Sequence, residues 1–437
     1  MKKTKLIAVA GLAAAASMVL TACGGGGSAN SNSNSGSAPQ EVKFEGKGPI
    51  TYVQGKDNGG KVQPALIDKW NAAHPDEKVK LIELSSEADQ QRQAMVNNAQ
   101  TKSDAFCVMS VDNVWVSEFA ANRWILPLPE KDFPKDEIVK PVWATGEYRG
   151  QLYAMPHVSD GGILYYRKDL LQQAGINEPP TTWTDMKSDC EKVRALPGHE
   201  NIGCYAGQLA KYEGLTVNAD EVIHTADGQT VDKDGKVQVG SPEAAKGLKM
   251  LSDGIKDGFI PKESLTYKEE EGRNAFESDR LVFYRNWPYQ YVLTKEKMGD
   301  KFGVVSLPGF EKDKPGVSSL GGHNLGISTF CKNKQTALDF VKWYSAKKQV
   351  QTMLDEESLA PIYIEQYKDP KNLQKFPYLT ALLGSIENAQ PRPQVVNYGD
   401  VSAAIQDSAF KALQGSVTAD QAVKEMAAKL TELTKSK

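Results

Sequence analysis

The chain has 437 residues, 40% of them hydrophobic and 24% charged, and a formal net charge of −3. That is the composition of an ordinary globular protein, and the near balance of charge offers no basic patch for nucleic acid. Roughly 400 residues remain once the N-terminal low-complexity segment is set aside, too many for one core, so two lobes are the expectation.

The chain opens with Met1-Lys2-Lys3-Thr4-Lys5 and an apolar stretch from Leu6 to Leu20. A basic start followed by an apolar run too short to span a bilayer reads as a secretory signal, residues 1–22. It ends in Leu20-Thr21-Ala22-Cys23. This resembles the lipobox of bacterial lipoproteins, which implies that Cys23 carries lipid and becomes the N-terminus. Gly24 to Gln40, "GGGGSANSNSNSGSAPQ", has nothing to bury. Residues 23–43 are therefore expected to form a lipidated flexible tether reaching roughly 20–25 Å. The mature protein is expected to be anchored to the outer face of the membrane without spanning it.

Pro49–Gln54 predicts a strand, and "PALIDKWNAAHP" predicts a helix with Pro64 at its start and Leu66, Ile67 and Trp70 on one face. "KVKLIEL" returns as a strand, "SSEADQQRQAMVNNAQ" as a helix with Ser86 near its start, and "DAFCVMS" as a third strand. This βαβαβ rhythm implies parallel strands with crossover helices. Asp-Gly pairs in "GQTVDKDGKVQV" read as hairpin turns. Asp232-Lys233-Asp234-Gly235 lacks the spacing of a calcium loop and is read as a turn. The chain closes on a helix with Thr418 and Gln421 as a capping box and Val423, Met426, Ala427, Leu430 and Leu433 as its buried stripe.

Four cysteines follow Cys23, and an even count in an exported chain permits two disulfides. The pairs expected are Cys190–Cys204, which closes a short loop, and Cys107–Cys331. Zinc is the alternative, but no CxxC spacing or neighbouring histidine pair supports it.

No Walker loop, HExxH, GxSxG or GxGxxG in a βαβ setting occurs, so nothing points to a cofactor or to catalysis. What stands out is polar and aromatic residues at element ends: Asp112 and Trp115, Asp160 before two glycines, Trp287, Gly321-Gly322-His323-Asn324, and Arg392 between two prolines. Ligands of open α/β sheets bind outside the carboxyl ends of strands. Asp and Arg pair with neighbouring hydroxyls, and an indole offers a flat face to the C–H side of a sugar. Each residue also has a plain reading. Asp112 could cap a helix, Trp115 could be core, Asp160 could sit in a turn, and Arg392 could be structural.

"DQQRQAMVNNAQTKSDAF", "VDNVWVSEFAANRWILPL", "GQLYAMPHVSDGGILYYRKDLL", "KYEGLTVN", "LVFYRNWPYQYVL", "SSLGGHNLGIS" and "IENAQPRPQV" occur in that order. Together they resemble the family 1 extracellular solute-binding proteins of carbohydrate ABC importers, in the trehalose/maltose-binding branch. The resemblance implies an α/β, two-lobed periplasmic-binding-protein fold (type II-like) with the ligand in the cleft. It implies lobe I at 44–155 plus 292–350 and lobe II at 156–291 plus 351–437. It implies a monomeric, non-catalytic protein that delivers a small oligosaccharide to an ABC permease. Site residues carried over are Arg92, Asp112, Asp160, Trp287, Gly322 and Arg392. In the first strand–helix loop, Asp57 or Asn58 stands where the branch has an acidic residue. His323 stands where the branch can carry a tryptophan, and Tyr289 is expected to line the cleft or brace Trp287.

Overall fold

A computed structural model describes residues 42–56, 60–232 and 235–435. The expected signal, Cys23, most of the tether, Asp57, Asn58, Lys233 and Asp234 lie outside the described residues. The described residues from Val42 onward form one compact unit.

Eleven strands are described: β1 Ile50–Gly55, β2 Val79–Leu84, β3 Val108–Asp112, β4 Glu147–Tyr148, β5 Gln151–Leu152, β6 Ala154–Gly161, β7 Ile163–Tyr166, β8 Gly203–Ala206, β9 Leu281–Asn286, β10 Gly303–Val305 and β11 Leu320–Ile327. They build two main sheets, in the orders β2-β1-β3-β11-β6 and β10-β7-β9-β8, and β4 and β5 form a small hairpin. β1, β2 and β3 run parallel, as the βαβαβ rhythm requires. β11 is antiparallel to both β3 and β6. Tyr52, Val53 and all of β3 are buried, the signature of a sheet covered by helices on both faces.

The second sheet packs against the helices Glu213–Thr225, Pro242–Lys256, Tyr398–Leu413 and Ala419–Thr434 through a separate apolar core. Every residue of Glu213–Thr225 is buried, so this helix is the spine of the second lobe. In Ala419–Thr434 the buried stripe includes Val423, Met426 and Leu430. Only half of the expected capping box forms. Thr418 Oγ1 accepts from Gln421 N at 3.2 Å, while the Gln421 amide turns to Glu425.

Three expected boundaries move. Residues 156–161 stay in the first sheet, because β6 pairs with β11 as far as Gly161. The segment 292–305, expected in lobe I, belongs with the second sheet, because β10 pairs with β7. The helix Lys347–Glu357 packs on the helix Val62–Ala73, so 351–357 belongs with the first lobe. Boundaries inside a continuous strand or helix leave no trace in composition, which is why they were misplaced. Helix Val62–Ala73 also starts earlier than expected, with Pro64 inside its first turn.

The chain passes from β6 to β7 at Gly162, and from β10 to β11 through residues 306–319. Both cysteine pairs are bonded: Cys107–Cys331 and Cys190–Cys204, with Cα atoms 4.7 and 5.5 Å apart.

Candidate functional site

Asp112 is the last residue of β3, at the carboxyl end of the first sheet. It accepts from Val114 N at 3.4 Å and so caps the short turn that follows. The same carboxylate also receives Arg392, Nη2 to Oδ1 at 2.8 Å and Nη1 to Oδ2 at 3.4 Å. Capping and pairing coexist because a carboxylate has several acceptor positions. Trp115 is core, 1% exposed among Val53, Val111 and Phe119.

Arg392 is 2% exposed. Its Nη1 also donates to Glu213 Oε1 at 2.5 Å. Glu213 further accepts from Tyr398 Oη and, at 2.6 Å, from Ser402 Oγ. Burial works against the charge on Arg392, and Asp112, Tyr398 and Glu213 hold its pKa well above the ordinary value. Burial pushes the Glu213 carboxyl up, against the pull of Arg392. Arg392 Nε is buried and has no hydrogen-bond partner among the described residues. A buried N–H without a partner is costly, so this donor is suited to a ligand oxygen.

His323 lies opposite Asp112 across the β3–β11 pairing. Burial lowers its pKa, opposed by Asp112. Two residues earlier in β11, Gly321 lies opposite Asp160 of β6. A Cβ on Gly321 would sit 2.9 Å from both Trp287 Cζ3 and Asp160 Cβ, so the glycine makes room for the indole. Gly322, between them, has φ +112° and pairs with Ser159. The register shift after His323 re-aims this stretch of strand. Gly321-Gly322-His323 therefore links two clusters, Trp287 with Asp160 and Asp112 with Arg392, about 7 Å apart along the strand.

Trp287 follows β9 and is half-buried. Its carbonyl accepts from Tyr165 Oη at 2.8 Å and its N–H bonds Asn286 Oδ1 at 2.7 Å. Tyr284 is fully buried, as expected of a core residue, and Tyr289 is half-buried, its Oη 3.5 Å from Glu270.

Arg92 stands apart from the Arg392 pair. Its guanidinium is bound to Glu118, Nε at 2.8 Å and Nη2 at 2.5 Å, and packs against Gly399. One turn earlier, Asp89 accepts from Glu213 N at 3.1 Å. A first-lobe carboxylate thus caps the first turn of the second-lobe spine helix, where backbone N–H groups lack helical partners. Burial raises the Asp89 pKa.

Sequence reasoning missed Glu213, Tyr398 and Ser402. The signal was present in "KYEGLTVN", where Glu213 is followed by the apolar-leaning run Gly214-Leu215-Thr216-Val217 of a helix that is buried along its whole length. A carboxylate at such a position needs a cation.

The sequence matches the bacterial extracellular solute-binding protein family over residues 52–351. A probable ABC transporter-binding protein of Deinococcus radiodurans is 30% identical over 379 residues, covering 84% of this chain and 89% of the relative. The structure resembles maltose-bound MalE3 of T. maritima with a TM-score of 0.82 and 30% identity, over 88% of this chain and 99% of that one. It also shares its fold with the GacH receptor of Streptomyces glaucescens, at a TM-score of 0.79 and 22% identity, over 90% and 100% of the two chains. The two-lobed α/β architecture and these matches show that the chain belongs to the bacterial extracellular solute-binding protein family of ABC transporters.

Proposed function

We propose that the protein captures a small oligosaccharide outside the cell, an α-glucoside disaccharide such as trehalose or maltose in the first place, and hands it to the transmembrane permease of an ABC importer. The observation that carries this reading is the pairing of Trp287 and Asp160 with Asp112 and Arg392 across three residues of β11. An indole face and a hydroxyl-binding charged pair about one sugar ring apart suit a pyranose. The 30% identity to a maltose-bound relative supports the same class of ligand.

Two of the carboxylates at this site, Asp112 and Glu213, also favour capture over hydrolysis. Asp112 and Glu213 both bind the same guanidinium, whereas a glycosidase needs one carboxyl free to donate a proton and another free to attack or activate water. Lipid on Cys23 would hold the protein at the outer membrane face as a monomer beside the permease. Closure of the lobes about the sugar would be a hinge motion.

Titration calorimetry against mono-, di- and trisaccharides tests the reading. A dissociation constant in the micromolar range, about −8 kcal/mol, is expected for an α-linked disaccharide. Silence across the panel overturns the sugar reading, and sugar turnover by the pure protein overturns the binding-only one. Release of a Cys23→Ala variant from the membrane fraction tests the anchor.

A further inference from the structure

Behind Trp287 lies a second buried ion pair that the sugar site does not use. Arg285, two residues back along the chain, is 0% exposed. Its Nε and Nη2 donate to Glu221 at 2.8 and 2.5 Å, and its Nη1 donates to Gln208 Oε1 at 2.9 Å. The same guanidinium lies over the Trp287 ring, with Cζ 3.9 Å from the centroid. It covers one face of the indole and leaves at most the other for a ligand.

Glu221 also faces the chain crossings. Its Oε1 accepts from Ser319 N at 3.1 Å and from Ser318 Oγ at 3.4 Å. Ser318 Oγ in turn accepts from Gly162 N at 2.6 Å, and Ser385 Oγ donates to Gly162 O at 2.9 Å. Leu320 N donates to Gln390 O, and Gln390 N to Ser318 O, each at 2.9 Å. A Cβ on Gly162 would lie 2.5 Å from both Arg285 Nη2 and Glu221 Oε1. The β6–β7 and β10–β11 crossings therefore meet at one ion pair, which touches the indole, and the segment leading to Arg392 joins it through Ser318.

We infer that Arg285 and Glu221 are positioning residues that couple the orientation of Trp287 to the geometry of the lobe crossings; this rests on Trp287 being the sugar platform proposed above. A buried ion pair is weak evidence for stability, since apolar residues of similar volume often serve as well. A bidentate fork differs from an apolar contact in fixing direction as well as distance. Crossing segments are where a hinge absorbs its backbone rotation. A rotation at Gly162 or Ser319 moves the Glu221 carboxylate, the carboxylate turns the guanidinium, and the guanidinium shifts the ring stacked on it. A sugar resting on the free face of the ring biases the same linkage in the opposite direction, since coupling of this kind is reciprocal.

The test uses the full mature chain with maltose as the probe. In the wild type, saturating maltose should slow hydrogen exchange at the Gly162 and Leu320 amides. The double substitution Arg285→Met with Glu221→Met keeps the volume without leaving a lone charge. It should bind maltose at least tenfold more weakly, and its crossing amides should no longer respond at saturation. Wild-type affinity together with wild-type protection in the double variant overturns the inference. A second measurement needs no ligand and only a conservative change. The fluorine resonance of 5-fluorotryptophan at position 287 should move in Glu221→Gln, and an unmoved resonance overturns the coupling. Failure of the wild type to bind maltose counts against the sugar reading alone, and the resonance then decides the coupling.

Discussion

Asp112 and Arg392 come from positions 280 residues apart in the chain and meet with Nη2 2.8 Å from Oδ1, both side chains buried. Arg392 also holds Glu213, so one guanidinium neutralises two carboxylates. Arg392→Ala would leave both acids buried without a cation. The expected loss is about 3–5 kcal/mol of folding stability together with sugar affinity. Asp112→Asn keeps a hydrogen-bonding group of the same shape and should lose affinity with a smaller loss of stability. Urea unfolding beside calorimetry separates the two, and an Arg392→Ala protein as stable as the wild type would show that the carboxylates find other partners.

Much of this was legible in the sequence because the parts with local signatures are the parts that sequence reports. The parallel strands β1, β2 and β3 announced themselves by runs of apolar residues separated by amphipathic helices. Asp112, Asp160 and Trp287 stood out because they end or follow strands, where side chains turn toward a ligand. The partners of those residues did not stand out. Glu213, Glu221 and Gln208 are polar residues facing long-range partners, and nothing nearby in sequence marks Arg285 as the group that reaches Glu221 and Trp287. Sequence patterns showed which residues were unusual, and the tertiary pairing supplied what each of them is bound to.

Two tryptophans offer a direct contrast. Trp287→Ala should lower sugar affinity at least tenfold, about 1.4 kcal/mol, because the stacking face is lost. Its ring is only half-buried, so the melting temperature should change little. Trp115→Ala empties a fully packed position and should cost about 3–5 kcal/mol of stability. Thermal melts and calorimetry on both variants check this. A large melting shift with normal affinity for Trp287→Ala would make it a core residue instead.

Acid sensitivity has an identifiable source in His157. The ring is buried, with Nε2 3.0 Å from Ser110 Oγ and Nδ1 without a hydrogen-bond partner among the described residues. Burial, helped by His323, lowers its pKa from 6.5 to about 3. Above pH 6.5 both folded and unfolded forms are neutral. Below it the unfolded chain takes up a proton that the folded protein refuses, so stability falls as pH drops from 6.5 toward 3. The slope is about 1.4 kcal/mol per pH unit for one proton. Asp220 acts in the opposite sense: burial raises its pKa to about 7, so its contribution is lost as pH rises through that value. Asp220 is common to both proteins when wild type is compared with His157→Gln. Urea unfolding at pH 7, 6 and 5 should therefore show a shallower acid decline in the variant, and parallel declines would exclude His157 as the source.

The two disulfides should differ in weight. Cys107–Cys331 closes 224 residues and Cys190–Cys204 closes 14. On the chain-entropy model the longer loop contributes about 5 kcal/mol and the shorter about 3 kcal/mol. Paired serine substitutions, each assayed by urea unfolding without reductant, should rank in that order. A larger loss from Cys190 and Cys204 would place the effect in native packing beneath the second sheet.

Two adjacent glycines should respond differently to a methyl group. At Gly322 a Cβ would lie 2.4 Å from Val158 O, a backbone atom, and φ is +112°, a conformation that alanine resists. Gly322→Ala should therefore cost about 1–3 kcal/mol or more of stability by straining the β6–β11 pairing. At Gly321 the nearest atoms are the rim of Trp287 and Asp160 Cβ, each 2.9 Å away. The indole can give way there at the expense of its stacking position. Gly321→Ala has no left-handed backbone to strain, so it should cost less stability than Gly322→Ala and lose more sugar affinity. Because the two positions are neighbours on one strand, a divergent outcome cannot be assigned to general damage of β11. Affinity loss at both with stability loss at neither would mean that the ligand touches the strand backbone directly. Stability loss at both would mean that Trp287 is held too firmly to move.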